Sequence, residues 1–500
     1  MSMLWPLVST CLSRPGAVAV IDDQRSYTYA QILGGSLFLA EAIDAATSRP
    51  HVGILLPTGG GFPIAQMACW FARRTAVPLN YLLSREEIQY IIRDSDIDTV
   101  ITAGPMLDFL GGESIIPPGV KTLKLENVDF TGFPPPRWPP IVDSDDLAVI
   151  LYTSGTSGKP KGVMLTHGNL RSNVFNAIDH AGMTATDTFL GVLPQFHSFG
   201  MTALTLIPLA LGAKVVYSAR FVPKKIIGLI AEHRPRIVMA VPSMYGAMLA
   251  VKSATKEDFT SVRLSISGGE PLPAAVFEEF ESRFAVKILE GYGLTETSPV
   301  TNWSLPTRWR RKAVGPAIPQ TDIIIVDEQN RPLPANAEGE ILIDGPNIMR
   351  GYYKLPELTA QVFTEVSLPN GDGGVVRRRF FRTGDIGKID EDGFLYITGR
   401  KKEMLIIAGE NVFPREIEEV LNRHPSIHDS AVVGMMDDLR GEVPIAFVEL
   451  NEGAAFDEVD LRSWCRAGLA QFKVPREIRH LEKLPRNPTG KIMRRALKAT

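Results

Sequence analysis

One stretch of this 500-residue chain combines glycines, hydroxyls and lysines in the way that polyphosphate-binding loops do. Residues 153–162 read TSGTSGKPKG, and the apolar runs 147–152 and 163–165 flank them. Glycines let backbone amides approach an anion closely, while hydroxyls and lysines add donors and positive charge. The stretch is not a Walker A loop, because Pro160 follows Lys159 where that loop needs Ser or Thr. Composition alone also allows a flexible surface loop, but a flexible linker would not need two flanking apolar runs.

Further polar residues follow predicted strands, at the sheet edge where α/β folds bind ligands. One strand leads to His197, and another opens into the glycines at 268–269. After a third strand, Tyr292 offers a flat face for a base and Glu296 a carboxylate. A single glutamate is enough for a Mg²⁺ site, because Mg²⁺ bound with phosphates takes only one or two protein carboxylates. Taken alone, His197 could be a structural histidine, and the turn that carries Glu296 could be an ordinary capped turn.

Five short motifs stand in one order along the chain, and together they are far more specific than any one of them. They are residues 152–162, 291–296 (GYGLTE), 382–385 (RTGD), 399–403 (GRKKE) and 488–491 (PTGK). This series resembles the adenylate-forming superfamily, also called AMP-binding enzymes. Within it, the chain most resembles the acyl-CoA synthetases of the fatty-acid and coumarate-ligase type. The resemblance covers essentially the whole chain.

The resemblance implies a site for ATP and Mg²⁺. The residues that it places around the nucleotide are Thr153, Ser154, Gly155, Thr156, Ser157, Gly158, Lys161, Gly268, Gly269, Glu270, Tyr292, Gly293, Thr295, Asp385, Ile397, Arg400 and Lys491. Among them, Asp385 would accept both ribose hydroxyls, as a carboxylate can. Glu296 would ligate Mg²⁺. The implied catalytic residues are Lys491 and Thr295 at the α-phosphate and His197 beside the acyl group.

The resemblance also implies a hinge, a CoA site and an acyl pocket. Lys402 falls at the hinge between a large and a small domain. Gly409, Glu410 and Asn411, which we predict to form a tight turn, would lie beside the pantetheine of CoA. The candidate walls of the acyl pocket are His197, Phe199, Ala203, Val241, Pro299 and Val300. These walls include no Arg, Lys or Asp, so we expect the bound acid to have an uncharged, apolar tail.

The implied chemistry explains why these residue types are needed. A carboxylate is a poor acyl donor until it attacks the ATP α-phosphate, forms acyl-AMP and releases pyrophosphate. Two anions must meet, so Mg²⁺ and Lys491 are needed where negative charge gathers. We therefore predict an ATP-dependent, AMP-forming acyl-CoA synthetase for a medium- or long-chain fatty acid.

Several alternatives stay open from the sequence. The enzyme could be an aryl acid–CoA ligase, or a fatty acyl-AMP ligase that delivers to an acyl carrier protein. A non-catalytic nucleotide-binding protein is disfavoured because Glu296, Asp385 and Lys491 are all retained. A hydrolase or metalloenzyme is disfavoured because the sequence has neither a Gly-x-Ser-x-Gly elbow nor a His-Glu-x-x-His motif.

The elements that must position these residues alternate between strand and helix. Strands are predicted near 51–56, 76–80 and 99–103, with helices at 30–46, 64–73 and 85–93. Such alternation favours βαβ units and parallel sheets. We expect an α/β protein with a large amino-terminal domain of βαβ subdomains plus a small barrel, followed by a small mobile α+β domain. The predicted boundaries are 1–399 for the AMP-binding domain, 400–402 for the hinge and 403–500 for the carboxyl-terminal lid.

The composition of the chain limits the kinds of partner that the protein can have. The net charge of −3 gives no general attraction to nucleic acid, and 45% hydrophobic residues are ample for a large core. The three cysteines, Cys11, Cys69 and Cys465, are far apart and read as reduced thiols. No signal peptide is read, so we expect a cytoplasmic enzyme with at most peripheral membrane contact. The partners are a small carboxylic acid, ATP and CoA, and a homodimer is left open.

One segment departs from the family pattern. Residues 370–381, which precede Arg382, are longer than usual, and Arg377, Arg378 and Arg379 make them basic. The segment could be only an extended hairpin loop, as surface charge runs usually are solvated. It could instead contact CoA or an acidic partner.

Overall fold

The computed structural model describes residues 2–153, 159–369, 374–407, 410–437, 441–486 and 492–497. Its first sheet has eight strands and is parallel except at its two edges. In spatial order the strands are Val300–Trp303, Ile288–Gly293, Leu264–Ser267, Ile237–Ala240, Thr188–Gly191, Lys214–Tyr217, Val18–Ile21 and Ser26–Thr28. The α/β class predicted from the sequence is confirmed.

The second sheet has seven strands and contains the two apolar runs that flank the glycine-rich stretch. In spatial order they are Gly351–Tyr352, Lys161–Thr166, Leu147–Thr153, Thr75–Pro78, His51–Ile54, Thr99–Thr102 and Lys121–Lys124. Leu147–Thr153 pairs antiparallel with Lys161–Thr166, with Thr153 opposite Lys161. The glycine-rich stretch therefore connects two paired strands.

Helices pack on these sheets and enclose the main core. The α-helices are Leu4–Ser13, Tyr29–Ala46, Gly61–Phe71, Arg85–Asp94, Gly104–Phe109, His167–Ala181, Ser198–Met201, Ile207–Leu211, Pro223–His233, Pro242–Leu249, Ala274–Phe284, Pro356–Gln361, Pro414–Leu421, Glu458–Gly468 and Arg494–Leu497. A π-helical turn at Thr202–Leu206 joins two of them. Reciprocal side-chain caps start three helices, at Thr28, Ser84 and Thr166. Short 3₁₀ turns lie at Glu113–Ile115, Leu125–Asn127, Lys256–Phe259, Thr295–Thr297, Lys401–Glu403 and Gln471–Lys473.

The third sheet is antiparallel and has five strands. The strands are Asp322–Val326, Gly339–Asp344, Val375–Ile389, Phe363–Pro369 and Leu395–Arg400. The basic run lies in the hairpin of Phe363–Pro369 with Val375–Ile389. Arg378 bridges Asp322 and Asp344, and Arg379 lies over the ring of Phe363. These contacts give the run a structural role, and its contact with CoA stays a prediction.

The carboxyl-terminal part is a small α+β unit with its own core. Strands Ile427–Asp437, Gly441–Leu450 and Glu477–His480 form its sheet, and Leu405–Ile407 pairs with Glu410–Val412. Residues such as Ile417, Leu421 and Val448 are fully buried there. The tight turn predicted at 409–411 is wrong in part, because residues 410–412 form a strand, and Gly409 lies outside the described residues.

The small unit contacts the large one through its first helix, Pro414–Leu421. Arg415 donates a hydrogen bond to the carbonyl of Ile397 at 2.7 Å, and Glu419 pairs with Lys312 at 2.7 Å. Phe413 packs directly on the Cα of Gly399, where any side chain would collide with its ring. Two polar contacts and one apolar contact therefore join the small unit to the large one.

An ion cluster ties together the amino ends of three neighbouring parallel strands in the first sheet. Asp187, which is 2% exposed, precedes one strand, and Arg236 and Arg263 precede the two others. Arg263 binds the Asp187 carboxylate at 2.9 and 2.7 Å, and Arg236 binds it at 2.9 Å. Burial opposes ionisation, but the hydrogen bonds from Arg263 outweigh it and lower the pKa of Asp187 to about 2.

We predict that Asp187→Asn lowers the free energy of unfolding by about 2 kcal/mol at pH 7. A depressed pKa means that this contribution is present above the unfolded-state pKa and is lost as the pH falls through about 2. Urea unfolding at pH 7 and at decreasing pH measures the difference. Glu113→Gln, which removes the exposed partner of Lys124, is the control and should leave the midpoint unchanged. Equal midpoints for Asp187→Asn and the wild type would contradict the prediction.

Candidate active site

Four parallel strands of the first sheet end at one edge, and many of the predicted site residues lie at or after their ends. The strands Thr188–Gly191, Ile237–Ala240, Leu264–Ser267 and Ile288–Gly293 are direct neighbours in the sheet. Since parallel strands all point the same way, the residues that follow them meet at this edge. His197, Val241, Gly268 and Tyr292 are thereby brought to one side of the molecule.

The turn that carries Thr295 and Glu296 is held by close packing and by two asparagines. Gly293 approaches the carbonyl of Pro299 so closely that a Cβ would collide with it. Asn173 donates to the carbonyl of Val300 at 2.7 Å, and Asn347 donates to that of Thr297 at 3.0 Å. The hydroxyl of Thr295 lies 3.3 Å from that of Ser198, which follows His197. The side chains at 295 and 296 therefore project from a rigid turn.

Glu296, 9% exposed, meets two side chains from the second sheet. Lys161 Nζ lies 3.2 Å from Glu296 Oε1 and donates to the Tyr352 hydroxyl at 2.6 Å. The Tyr352 hydroxyl donates to Glu296 Oε1 at 2.8 Å. Sequence reasoning chose Lys161 and Glu296 but missed Tyr352. No local spacing indicates this tyrosine, since it lies 191 residues from Lys161.

A second buried carboxylate, Asp385, lies beside Tyr292. Its Oδ2 accepts a hydrogen bond from the Tyr292 hydroxyl at 2.6 Å, and its Oδ1 pairs with Arg400 Nε at 3.1 Å. Burial raises the pKa of Asp385, while the positive charge of Arg400 opposes the rise. Burial and the Asp385 charge raise the pKa of Tyr292 well above its ordinary value. Tyr292, Asp385 and Arg400, which the resemblance places around one nucleotide, are therefore in contact through the Asp385 carboxylate.

The predicted hinge residue, Lys402, lies near Asp385 and Lys161. Burial and the positive charge of Arg400 lower the pKa of Lys402, with Lys161 contributing in the same direction. Asp385 and Glu403 oppose the shift. Ile397, predicted near the nucleotide, offers its carbonyl to Arg415 of the small unit. The junction of the two units therefore reaches the same site as the two carboxylates.

Parts of the predicted site lie outside the described residues. They are Ser154, Gly155, Thr156, Ser157, Gly158, Gly409 and Lys491. Glu410 and Asn411 begin the strand Glu410–Val412. At the border of the glycine-rich stretch, the buried hydroxyl of Thr153 has no hydrogen-bond partner within the described part of the chain. A buried hydroxyl without a partner is costly, so this one fits an incoming acceptor such as a phosphate oxygen.

The predicted acyl-pocket residues cluster around the glycines at 268–269. A Cβ on Gly268 would contact the Phe199 ring at 3.2 Å, and one on Gly269 would contact Val241 at 3.7 Å. Gly269 has a φ of +85°, which favours glycine. Pro299 and Val300 are buried behind the rigid turn, and Ala203 is buried in the helical segment that follows Phe199. His197 is exposed at the edge, and Glu270 is half-buried.

The donor set fits Mg²⁺ bound together with a nucleotide better than a fixed metal centre. No group of three or more metal-ligating side chains occurs among the described residues. Glu296 is instead one buried carboxylate beside one ammonium, which suits an ion whose other ligands are phosphate oxygens and water. The arrangement can therefore hold negative phosphates next to a divalent cation. No helix in the described part of the chain is long and apolar enough to cross a bilayer.

The chain is similar to known proteins along almost its whole length. Residues 8–353 match the family described as AMP-binding enzyme, and residues 416–491 match the AMP-binding enzyme C-terminal domain. Long-chain-fatty-acid–CoA ligase of Bacillus subtilis is 32% identical over 97% of this chain and 91% of that protein. Feruloyl-CoA synthase of Amycolatopsis sp. is 31% identical over 98% and 97%.

Similarity extends to solved structures. O-succinylbenzoate coenzyme A synthetase of Bacillus subtilis, in complex with ATP and magnesium ion, has a TM-score of 0.84 to this chain. It is 27% identical, and the superposition covers 99% of each chain.

We predict that Gly293→Ala loosens the turn that carries Thr295 and Glu296, because the new methyl group would collide with the backbone of Pro299. Amide hydrogen exchange of peptides from 293–303 should speed up markedly, and the thermal midpoint should fall by about 1 °C per kcal/mol lost. Gly228→Ala is the matched control, since a Cβ there meets nothing within 4 Å and lies in a helix. Unchanged exchange in Gly293→Ala would show that the close approach does not constrain the turn.

Proposed function

The chain belongs to the AMP-binding enzyme family, and on this basis we propose that it activates an uncharged, lipophilic carboxylic acid. It is an AMP-forming acid–CoA ligase that uses ATP, Mg²⁺ and CoA. The acid that we propose is a medium- or long-chain fatty acid. The observation that carries the choice of acid is that the apolar side chains of Phe199 and Val241 lie beside the glycines at the sheet edge, within 4 Å of where a Cβ would stand.

For the nucleotide, we assign the roles that the resemblance implies. Tyr292 lies against the adenine, and Asp385 accepts the ribose hydroxyls. Each carboxylate oxygen of Asp385 already accepts one partner, Tyr292 or Arg400, and retains a second acceptor position. The fixed orientation of this carboxylate supports the assignment, because its position does not have to be ordered when ATP binds.

For the phosphates, Glu296 and Lys161 form the metal and charge site, together with Thr153 and the stretch after it. When bound, Mg²⁺ neutralises phosphate charge. Lys161 supplies a fixed positive charge next to it, and Thr295 reaches the α-phosphate. The substrate carboxylate attacks the α-phosphorus, and the bond to the bridging oxygen breaks as pyrophosphate leaves. The CoA thiolate then attacks the acyl carbon, and AMP leaves as its anion.

For the domains, we propose residues 1–399 as the AMP-binding domain, 400–402 as the hinge and 403–500 as the lid. The 3₁₀ turn Lys401–Glu403 follows the last strand of the third sheet, and the core of the small unit is separate. The contacts between the units include a hydrogen bond and an exposed ion pair, which can be exchanged at low cost and so favour reorientation about Lys402. Lys491 is then delivered for acid activation, and Gly409, Glu410 and Asn411 are delivered for thioester formation.

An aryl acid is the second candidate substrate, because feruloyl-CoA synthase is as similar to this chain as the fatty-acid ligase. Both acids present an apolar body to the pocket and a carboxylate to the nucleotide. Flexible chains and flat rings differ in the pocket shape that they need, so a panel of acids separates them.

We predict that pyrophosphate release is fastest with dodecanoate or a neighbouring chain length, and slower with ferulate. Dodecanedioate is the matched control, since it differs only by a second carboxylate at the buried end. Burying that charge should lower kcat/KM at least about 100-fold. A preference for dodecanedioate, or for an amino acid, would refute the apolar-tail proposal.

We predict that Lys491→Ala slows acyl-AMP formation by about 10²–10³-fold, as expected when one charge contact to the transition state is lost. Equilibrium binding of MgATP should be retained, because Lys161, Glu296 and Asp385 are intact. Lys483→Ala, which removes an exposed lysine of the same domain, is the control. A Lys491→Ala enzyme with an unchanged rate would defeat the assignment.

A further inference from the structure

Tyr352 joins the two charged side chains that we assign to the phosphates. Its hydroxyl accepts a hydrogen bond from Lys161 Nζ at 2.6 Å and donates one to Glu296 Oε1 at 2.8 Å. The Lys161 ammonium also lies 3.9 Å from the centroid of the Tyr352 ring. Lys161 and Glu296 approach each other less closely, at 3.2 Å. The hydroxyl is thus the shortest link between a cation and an anion of the same site.

The backbone around Tyr352 is fixed to both sheets. Gly351–Tyr352 pairs antiparallel with the strand that begins at Lys161, with Tyr352 opposite Val163. Met349 donates its backbone N–H to the carbonyl of Glu296 at 2.8 Å. The amide of Tyr352 itself donates to Thr359 Oγ1 at 2.9 Å. The ring is therefore held at the junction between the sheet that supplies Lys161 and the turn that supplies Glu296.

We propose that Tyr352 is a positioning residue that shares the Lys161 ammonium with Glu296 and so keeps their ion pair loose enough to open for MgATP. This inference rests on the proposed function. An ammonium has three N–H donors, and Tyr352 and Glu296 engage two of them. Without the hydroxyl, Lys161 turns fully to Glu296. MgATP must then break a close, largely buried ion pair before the metal and the phosphates bind.

The chemistry of the hydroxyl suits this role. A phenol ordinarily ionises only at about pH 10, so this hydroxyl keeps its proton at neutral pH. A neutral phenol donates its single proton to the carboxylate and accepts from the ammonium at the same time. A phenylalanine keeps the ring under the ammonium and removes only this bridge.

The test compares Tyr352→Phe with Tyr353→Phe in the full-length enzyme. Tyr353 is the matched control, because its hydroxyl bonds Asp96 at 2.9 Å, away from Lys161 and Glu296. We expect Tyr352→Phe to raise the KM for MgATP about tenfold, which is typical for losing a hydrogen bond to a charged group. The half-saturating Mg²⁺ concentration should rise in parallel, while kcat changes less than about threefold. Tyr353→Phe should match the wild type.

Binding of AMP separates positioning from general damage. AMP lacks the β- and γ-phosphates, so its dissociation constant should be the same in Tyr352→Phe and the wild type. In the background of Lys161→Met, adding Tyr352→Phe should weaken MgATP binding no further, because the hydroxyl acts through the lysine.

The results that would overturn this inference differ from the result that would refute the proposed function. An unchanged KM and Mg²⁺ requirement would overturn the inference, and so would an equal loss of AMP and MgATP binding. If the wild type itself makes no acyl-AMP from any acid, the proposed function fails instead.

Discussion

The site depends on two opposite charges that lie close together and yet do not form a fully closed ion pair. Lys161 and Glu296 come from different sheets and lie 3.2 Å apart in a largely buried volume. In such surroundings an ion pair attracts strongly, and a fully closed pair would have to be broken before phosphates and metal could enter. The Tyr352 hydroxyl bonds both charged groups beside their direct contact, at 2.6 Å from Lys161 and 2.8 Å from Glu296. The pairing of Gly351–Tyr352 with the second sheet, and the asparagines that fix the Glu296 turn, both maintain this geometry.

The parallel sheet supplies the other half of the arrangement. Its strands gather glycines, a tyrosine and a histidine at their carboxyl ends, while Asp187 clamps their amino ends with two arginines. A rigid sheet costs no ordering when substrate binds, so the acceptor and donor groups are in place beforehand. The ion cluster of Asp187 and the proposed acyl-pocket residues therefore lie at opposite ends of the same strands. The ion pairs of Asp187 with the two arginines therefore lie away from the edge that carries the candidate site.

The small domain is attached in a different way from the elements of the large one. Its own core is apolar, whereas its contacts with the large domain include an exposed ion pair and a hydrogen bond to a carbonyl. Exposed ion pairs contribute at most about 1 kcal/mol, so such contacts can be exchanged at low cost. Arg400 and Lys402 stand at this junction and face Asp385. The residues that we propose for the nucleotide and for the hinge therefore interact with one another.

The sequence by itself determined the fold class and the order of strands and helices, and it supplied the candidate site residues. Periodicity and glycine punctuation are local properties, and the motifs at 291–296 and 382–385 are read without any contact information. The sequence could not indicate Tyr352, the Asp187 clamp or the link from Arg415 to Ile397, because their partners lie far away in the chain. It also misjudged residues 410–411 as a turn, since only pairing with Leu405–Ile407 makes them a strand. Tertiary structure decided these features because hydrogen bonds and ion pairs depend on distance in space, which local spacing does not encode.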